Sequence, residues 1–151
     1  MKTLQNYITE KILINKNSKL AYNYYPKTTD ELKDIIDKRI NSEGYECDLN
    51  DIDTSNITDM SHLFRYSHFN GNISGWNVSN VTDMEGMFRF SKFNSDISNW
   101  NVSNVIIMYR MFCGCKSFNQ DLSSWNISKV KNYTNMFYKC PIEEKYKPKF
   151  N

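Results

Sequence analysis

The chain contains few glycines and prolines and no long hydrophobic run. Its 151 residues include 5 Gly and 3 Pro. No apolar stretch approaches the roughly 20 residues that a membrane-spanning helix needs. Residues 1–19 lack both the continuous apolar segment and the small-residue cleavage site of a secretory signal. The sequence therefore predicts a soluble, cytoplasmic protein without membrane contact.

An excess of charge of either sign is also missing. The chain has 19 Lys and Arg against 17 Asp and Glu, which gives a net charge of +2. This balance supplies no electrostatic reason to expect nucleic acid or an anionic membrane as a ligand. A nucleic-acid binder would need basic columns along its surface, and only Lys129, Lys131 and the lysines of the C-terminal tail offer one. Nucleic acid is therefore not expected as a direct ligand.

Motifs that carry enzyme chemistry are absent from the sequence. It contains no Gly-rich phosphate loop, no H-E-x-x-H and no G-x-S-x-G. Its two histidines, His62 and His68, stand at positions that vary between repeats, which predicts that both lie on the surface. We therefore expect no enzyme, no cofactor and no small-molecule substrate.

The four cysteines are predicted to be free, packed thiols. Without a secretory signal, disulfides are not expected. The C-x-C spacing at Cys113 and Cys115, with only two histidines in the chain, argues against a zinc site. Cys115 and Cys140 stand where Ser67 and Ser91 stand in earlier repeats, which indicates a small buried position. The fourth cysteine is Cys47.

What the sequence does contain is an internal repeat, with aromatic residues in fixed columns. Copies open at Phe69, Phe93 and Phe118, at spacings of 24 and 25 residues. A degenerate copy precedes them, which makes four units over residues 45–140. Self-similarity at this period is typical of a solenoid.

The pattern within a unit predicts a strand and a helical return. Ile73, Trp76 and Val78 have the L-x-x-L-x-L spacing of a leucine-rich repeat, and their alternation suits a short strand. Val81, Met84, Met87 and Phe88 follow at spacings that suit a helical or 3₁₀ turn. The predicted fold class is therefore an α/β repeat: a leucine-rich-repeat-like solenoid of four units with parallel strands.

The segments outside the repeats are predicted to cap the solenoid. Residues 28–43 form the clearest helix, with a Thr28-x-x-Glu31 capping box and Gly44 after its end. We expect residues 1–44 to be an α-rich N-terminal cap, with an earlier helix capped by Thr3, and the first strand to follow at residues 45–49. Residues 141–151 are expected to be a tail that covers the last unit.

The unit resembles a known family of repeats. Trp76 to Phe88 reads W-N-V-S-N-V-T-D-M-E-G-M-F, and this pattern is similar to the BspA-like leucine-rich repeats of bacterial surface proteins and of their relatives in phages and mobile elements. The resemblance implies a solenoid without a catalytic site that acts by binding protein. Since this chain has four repeats and no export signal, it looks more like the short phage-type members. By analogy, we expect an anti-defence inhibitor that sterically blocks a host protein, for example a defence nuclease.

Positions that vary between repeats are the candidates for partner binding. The constant columns of Asn77, Asn101 and Asn126 and of their neighbouring serines are predicted to be structural, in ladders that satisfy one another and the backbone. Asp96 and Asp121 are expected to bond to nearby backbone in turns. Variable positions that carry aromatic, Arg or Ile residues are predicted to bind a protein partner, because Tyr and Arg are enriched in hot spots. They are Arg65, Tyr66, Arg89, Phe90, Ile106, Ile107, Tyr109, Arg110 and Tyr138.

Two alternatives stay open at this point. The chain is an adhesin-type surface or structural module if an export signal or many more repeats accompany it. The variable residues, Ile106 and Ile107 among them, pack between neighbouring returns if they do not face a partner.

Overall fold

A computed structural model describes residues 22–150 of the chain. Within this range, helix α1 covers Thr29–Glu43 and a short 3₁₀ helix covers Glu144–Tyr146. The other described residues form turns, isolated bridges and irregular segments around a large buried aromatic cluster. None of the described helices is long and apolar enough to cross a membrane. The predicted helix capped by Thr3 lies outside the described residues.

Helix α1 begins and ends where the sequence predicts. The Thr28 side chain accepts a hydrogen bond from the Glu31 N–H at 3.2 Å. The Glu31 carboxylate accepts from the N–H of Lys27 at 2.7 Å, one residue before the Thr28 N–H that a capping box would use. At the other end Gly44 has a φ of 91°, and its N–H donates to the Ile40 carbonyl. The predicted caps are therefore confirmed, with a shifted partner for Glu31.

One face of α1 closes the core at the N-terminal end of the repeats. Leu32 and Ile36 are buried, and Ile35 and Ile40 pack against the same core. The Arg39 guanidinium attaches the helix to the first unit, because it pairs with Asp51 at 2.8 Å and donates to the Asp48 carbonyl at 2.9 Å. The apolar stripe of α1 is thus the contact between the cap and the repeats. The stripe consists of Leu32, Ile35, Ile36 and Ile40.

We expect Thr28→Ala to lower the free energy of unfolding by about 1 kcal/mol, because the Glu31 N–H loses its acceptor at the start of α1. Urea titration followed by circular dichroism measures this change. Thr58→Ala is the matched control, since Thr58 is exposed and should change the same quantity by less than about 0.5 kcal/mol. Equal effects of the two substitutions would contradict the capping role.

Stacked aromatic columns fill the core. Ring centroids of successive members lie 5.4 to 5.6 Å apart in one column, which runs through Phe64, Phe88, Phe112 and Phe137. A second column stacks at 6.2 to 6.3 Å and consists of Phe69, Phe93 and Phe118. Trp76 and Trp100 stack at 6.4 Å, and each of the three Trp side chains is 4% exposed. In both Phe columns, each ring therefore lies against the ring at the same position of the next unit, and Trp76 and Trp100 pair in the same way.

Backbone hydrogen bonds join neighbouring units at every second residue of the segment that begins at Met60. In the first row, N–H groups donate to carbonyl oxygens of the next unit at 2.8 to 2.9 Å, and the pairs are Met60 to Asp83, His62 to Glu85, Phe64 to Met87 and Tyr66 to Arg89. The same pattern recurs from Met84 to Phe90 and from Met108 to Gly114. We call these three rows the turn ladder.

The turn ladder is not helical, so the predicted helical return is wrong. Two of its columns have left-handed backbone, with φ between 54° and 71° in every unit: His62, Gly86, Arg110 and Asn135 in one, and Tyr66, Phe90, Gly114 and Lys139 in the other. A left-handed residue at every fourth position reverses the backbone before an α-helix can propagate. The remaining N–H groups instead close local turns, such as Leu63 to Met60.

The predicted parallel strands are also absent from residues 22–150. Pairing is limited to four isolated parallel bridges, none of which involves residues 45–49 or the Trp76–Val78 segment. The reason is a pair of side-chain turns in each unit. Asn72 and Asn77 each accept the N–H of the serine two residues on at 3.1 Å, so the chain turns on both sides of Trp76. The three bridges between units join Asp59, Asp83, Ile107 and Asn132.

The predicted role of the acidic turn residues is confirmed. Asp96 and Asp121 each accept a backbone N–H two residues further on at 2.9 Å. The constant asparagine column does the same, at 3.1 to 3.2 Å, and within residues 22–150 its members do not bond to one another: Asn77, Asn101 and Asn126. Another asparagine column links the units instead, because Asn70 accepts from the Asn94 N–H and Asn94 from the Asn119 N–H.

The C-terminal tail packs on the fourth unit. Ile142 is buried, and the Tyr146 carbonyl accepts the Leu122 N–H at 2.8 Å. The Phe150 ring lies 4.6 Å from that of Tyr133 and contacts the Phe137 ring edge-on. The tail therefore covers the end of the buried aromatic columns.

Candidate functional site

An exposed aromatic pair crosses the surface of the first two units. The rings of Tyr66 and Phe90 are stacked, with centroids 5.4 Å apart and planes 12° apart. Tyr66 is 61% exposed and Phe90 is 42% exposed. Both residues lie two positions after a buried Phe of the core, and their left-handed backbone aims the side chains outward. The two large rings thus form one continuous apolar strip on the solvent-exposed surface.

Each ring of the pair carries a guanidinium from the residue before it. Arg65 Cζ lies 4.9 Å from the centroid of the Tyr66 ring, and Arg89 Cζ lies 5.0 Å from that of Phe90. The Arg89 Nε is buried and has no hydrogen-bond partner among the described residues. These four residues, Arg65, Tyr66, Arg89 and Phe90, are called the aromatic ridge below. The ridge can offer exposed aromatic edges and guanidinium donors together to another molecule.

A glycine supports the far end of the aromatic ridge. Phe90 lies directly over Gly114, where an added Cβ would come within 2.2 Å of the Phe90 ring. The ring can lie flat only because the residue beneath has no side chain. Phe90 is therefore held between Tyr66 on one side and the backbone of the third unit on the other.

The other predicted partner-binding residues lie apart from the ridge. Arg110 covers the Tyr109 ring at 4.8 Å in the neighbouring columns of the third unit, and Lys139 covers the Tyr138 ring at 5.3 Å in the fourth. Neither ring stacks on the ridge within residues 22–150. Ile106 is 37% exposed, whereas Ile107 is half-buried and bridges to the units on both sides. The structure thus brings together four of the predicted residues, which form the aromatic ridge. The other five lie elsewhere on the protein: Ile106, Ile107, Tyr109, Arg110 and Tyr138.

Sequence reasoning missed a groove between α1 and the first unit. Its volume is about 380 Å³, the apolar residues of its floor are mostly buried, and polar residues line much of its surface. His62 and His68 are exposed, as predicted, but both line the groove, where the Tyr45 ring meets His68 edge-on at 5.5 Å. The only signal for this groove in the sequence is the place of the first unit, because no preceding unit covers it. The floor consists of Ile36, Ile40, Leu63 and Phe64.

The cysteines are free thiols packed in the structure, as predicted. Cys115 Sγ lies 3.4 Å from Ser91 Oγ, in the predicted small column. Burial raises the pKa of the Cys115 thiol and raises that of Cys140 to about 11, so both stay protonated at neutral pH. Within residues 22–150, no three His, Cys, Asp or Glu side chains cluster closely enough to hold a metal ion.

Comparison with known proteins identifies one family. Residues 32–148 match the model of a family described as "Mycoplasma protein of unknown function, DUF285". The match covers α1 from Leu32, all four units and most of the tail. Searches of the curated proteins and of the solved structures found no match.

Proposed function

The chain belongs to the DUF285 family of Mycoplasma proteins of unknown function, and for this chain we propose a non-catalytic module that binds another protein through the aromatic ridge. The observation that carries the proposal is the stacked, exposed pair of Tyr66 and Phe90 with a guanidinium on each ring. Tyr and Arg are the residue types that dominate interface hot spots. Large exposed aromatic patches on a folded protein mark interaction sites.

The scaffold of the proposed module is a short solenoid of four units. The turn ladder, the stacked Phe and Trp columns and the asparagine links all join equivalent positions of adjacent units, which supports this interpretation. The resemblance of residues 45–140 to BspA-like repeats supports it as well. A stack of this kind holds surface residues at fixed spacings, so the ridge loses little conformational entropy on binding.

In its narrower form, the proposal is that the partner is a host protein blocked by steric occlusion, as for a phage or mobile-element inhibitor of a defence nuclease. The support is the resemblance to short repeat proteins of mobile elements. A module that acts only by occlusion needs a rigid scaffold and an apolar, cationic contact surface, and the ridge supplies that surface. An adhesin-type module that binds an extracellular protein is the alternative, and the identity of the captured partner distinguishes the two.

The test is affinity capture from the native host with immobilised protein, followed by measurement of the affinity for the captured partner. The double substitution Tyr66→Ala and Phe90→Ala should weaken the affinity by about 30-fold or more, the size of one hot-spot residue. Tyr25→Ala is the matched control, because Tyr25 is also 61% exposed but lies outside the ridge. Unchanged affinity of the double variant would overturn the ridge as the site. If affinity were lost instead in the double variant Tyr109→Ala and Arg110→Ala, the binding site would lie on the third unit.

A further inference from the structure

Among residues 22–150, the turn ladder ends at the first unit with carbonyls that accept no hydrogen bond from another unit. In the second and third units, every carbonyl of this series receives an N–H from the preceding unit. The equivalent carbonyls of the first unit belong to Asp59, Ser61, Leu63 and Arg65. The Thr29 hydroxyl donates to the Asp59 carbonyl at 2.6 Å. No donor within residues 22–150 reaches the carbonyls of Ser61, Leu63 and Arg65, so three acceptors at alternate residues form an open edge.

The groove beside α1 lies along this open edge. Residues 62–68 line it on one side, and α1 lines it on the other. Leu32 and Ile36 of α1 cover the core, but the helix has no backbone N–H to offer sideways, because its own turns use them. The groove therefore presents a row of backbone acceptors that α1 cannot satisfy, above apolar residues that are already mostly buried.

The internal rows of the turn ladder define what fits such an edge. Each row places a five-residue turn on the next unit, such as residues 86–90. The N–H groups of its first, third and fifth residues donate, its first and fifth residues have positive φ, and its third residue is a buried Phe. Glycine and asparagine adopt positive φ at least cost.

We propose that the groove is a second binding site, for a five-residue turn segment of a partner protein. The segment has Gly or Asn at its first and fifth positions and an aromatic residue at its third. Its alternate N–H groups pair with the carbonyls of Ser61, Leu63 and Arg65, and its aromatic side chain enters the groove between α1 and residues 62–68. The pairing is by backbone addition to an unpaired edge, as when an extended peptide joins a sheet.

A second copy of the chain is the competing occupant. The fourth unit ends with N–H groups at Tyr133, Asn135, Phe137 and Lys139 that donate to no acceptor within residues 22–150. The tail, however, lies against this end through Phe150 and the buried Ile142. The partner peptide is favoured because a single segment enters beside α1, whereas the capped end of another copy would have to displace the tail.

The experiment uses the full chain and a labelled synthetic peptide, EGMFRGS, which is residues 85–91 with Gly in place of Phe90. Fluorescence anisotropy measures its binding, and a second peptide carries an N-methyl group on the central Phe. Asn41→Trp fills the groove from the exposed face of α1, and Asp34→Trp is the matched control, because Asp34 is exposed on the same helix but does not line the groove. Sedimentation velocity of each protein reports self-association.

We expect saturable binding of EGMFRGS to the native chain and to Asp34→Trp. The N-methyl peptide and the Asn41→Trp variant should each bind about tenfold more weakly or worse, since one buried hydrogen bond or the apolar contact is lost. Phe90→Ala should leave peptide binding unchanged, so failure at the groove is distinguishable from failure at the aromatic ridge. Absence of saturable binding, or equal binding by Asn41→Trp, would overturn the proposal. Self-association that Asn41→Trp abolishes would overturn it in favour of a second copy.

Discussion

Replacing Trp100 by Ala should lower the free energy of unfolding by about 3–5 kcal/mol, the cost of truncating a buried aromatic side chain. Trp100 is 4% exposed, stacks on Trp76 and donates its indole N–H to the Ile73 carbonyl at 3.1 Å. The substitution removes contacts with two units at once and takes from the Ile73 carbonyl one of its two donors, the other being the Trp76 N–H. Since small domains have only about 5–15 kcal/mol of stability, the variant should be close to unfolded at 37 °C.

Urea titration followed by tryptophan fluorescence and circular dichroism measures the loss. Trp100→Phe is the comparison variant, because it keeps a ring in the column but removes the N–H donor to the Ile73 carbonyl. It should lose less than half as much free energy of unfolding as Trp100→Ala. A midpoint for Trp100→Ala within error of that of the native chain would show that the Trp column does not hold the units together.

Gly71→Ala should lower the free energy of unfolding by about 1–3 kcal/mol, the cost of overpacking. A Cβ at this position would lie 2.0 Å from the backbone carbonyl oxygen of Cys47 and 2.7 Å from the Phe69 ring. Neither group can give way cheaply, because one is backbone and the other is fully buried. The methyl group must therefore push the start of the first unit away from the second.

The later units show that the repeat itself does not require a glycine here. Ser95 stands at the equivalent position of the next unit, where its hydroxyl donates to the Asn70 carbonyl at 2.7 Å. Gly75→Ala is the matched control, since the three atoms nearest to its Cβ would be side-chain atoms of Asn50, at 3.0 Å or more, and none of them is backbone. Thermal unfolding should show a lower midpoint for Gly71→Ala than for Gly75→Ala. The reverse order would contradict the close approach at Cys47.

The sequence predicts correctly those features of the fold that burial or a local helix cap determines. The Phe, Met and Trp columns were predicted from spacing alone, and their members from Phe64 to Phe118 are buried. Helix α1 was predicted from Thr28 and Gly44, because a cap is a contact between residues a few positions apart. Such features depend on a short window of sequence, so a single chain reveals them.

The backbone between the columns could not be predicted in the same way. His62, Tyr66 and Phe90 have left-handed φ values although none is a glycine, so their residue types do not predict this backbone conformation. The apolar spacing in this segment fits a helix as well as it fits the turn ladder. Only the hydrogen bonds to the next unit, which are contacts 23 residues away, select the turns.

The candidate site was predicted in part, for a similar reason. Arg65-Tyr66 and Arg89-Phe90 repeat the same order in the same column, and stacked units bring them together. Tyr109 lies in a different column, and the third unit has Gly114 where a third ring would stand. The groove depends on how α1 sits against the first unit, which the sequence of the repeat does not encode.

The central claim is that equivalent units are joined by the turn ladder and that partners meet the surfaces it leaves open. Amide hydrogen exchange measured by NMR tests it most directly, at residues of the same column and the same φ. The N–H of Gly86 and Phe90 donates to the next unit at 2.9 Å, whereas Asn135 and Lys139 have no acceptor among the described residues. Gly86 and Phe90 should exchange roughly a hundredfold or more slowly than Asn135 and Lys139, relative to their intrinsic rates. Similar protection at all four amides would contradict the ladder and, with it, the open edge beside α1.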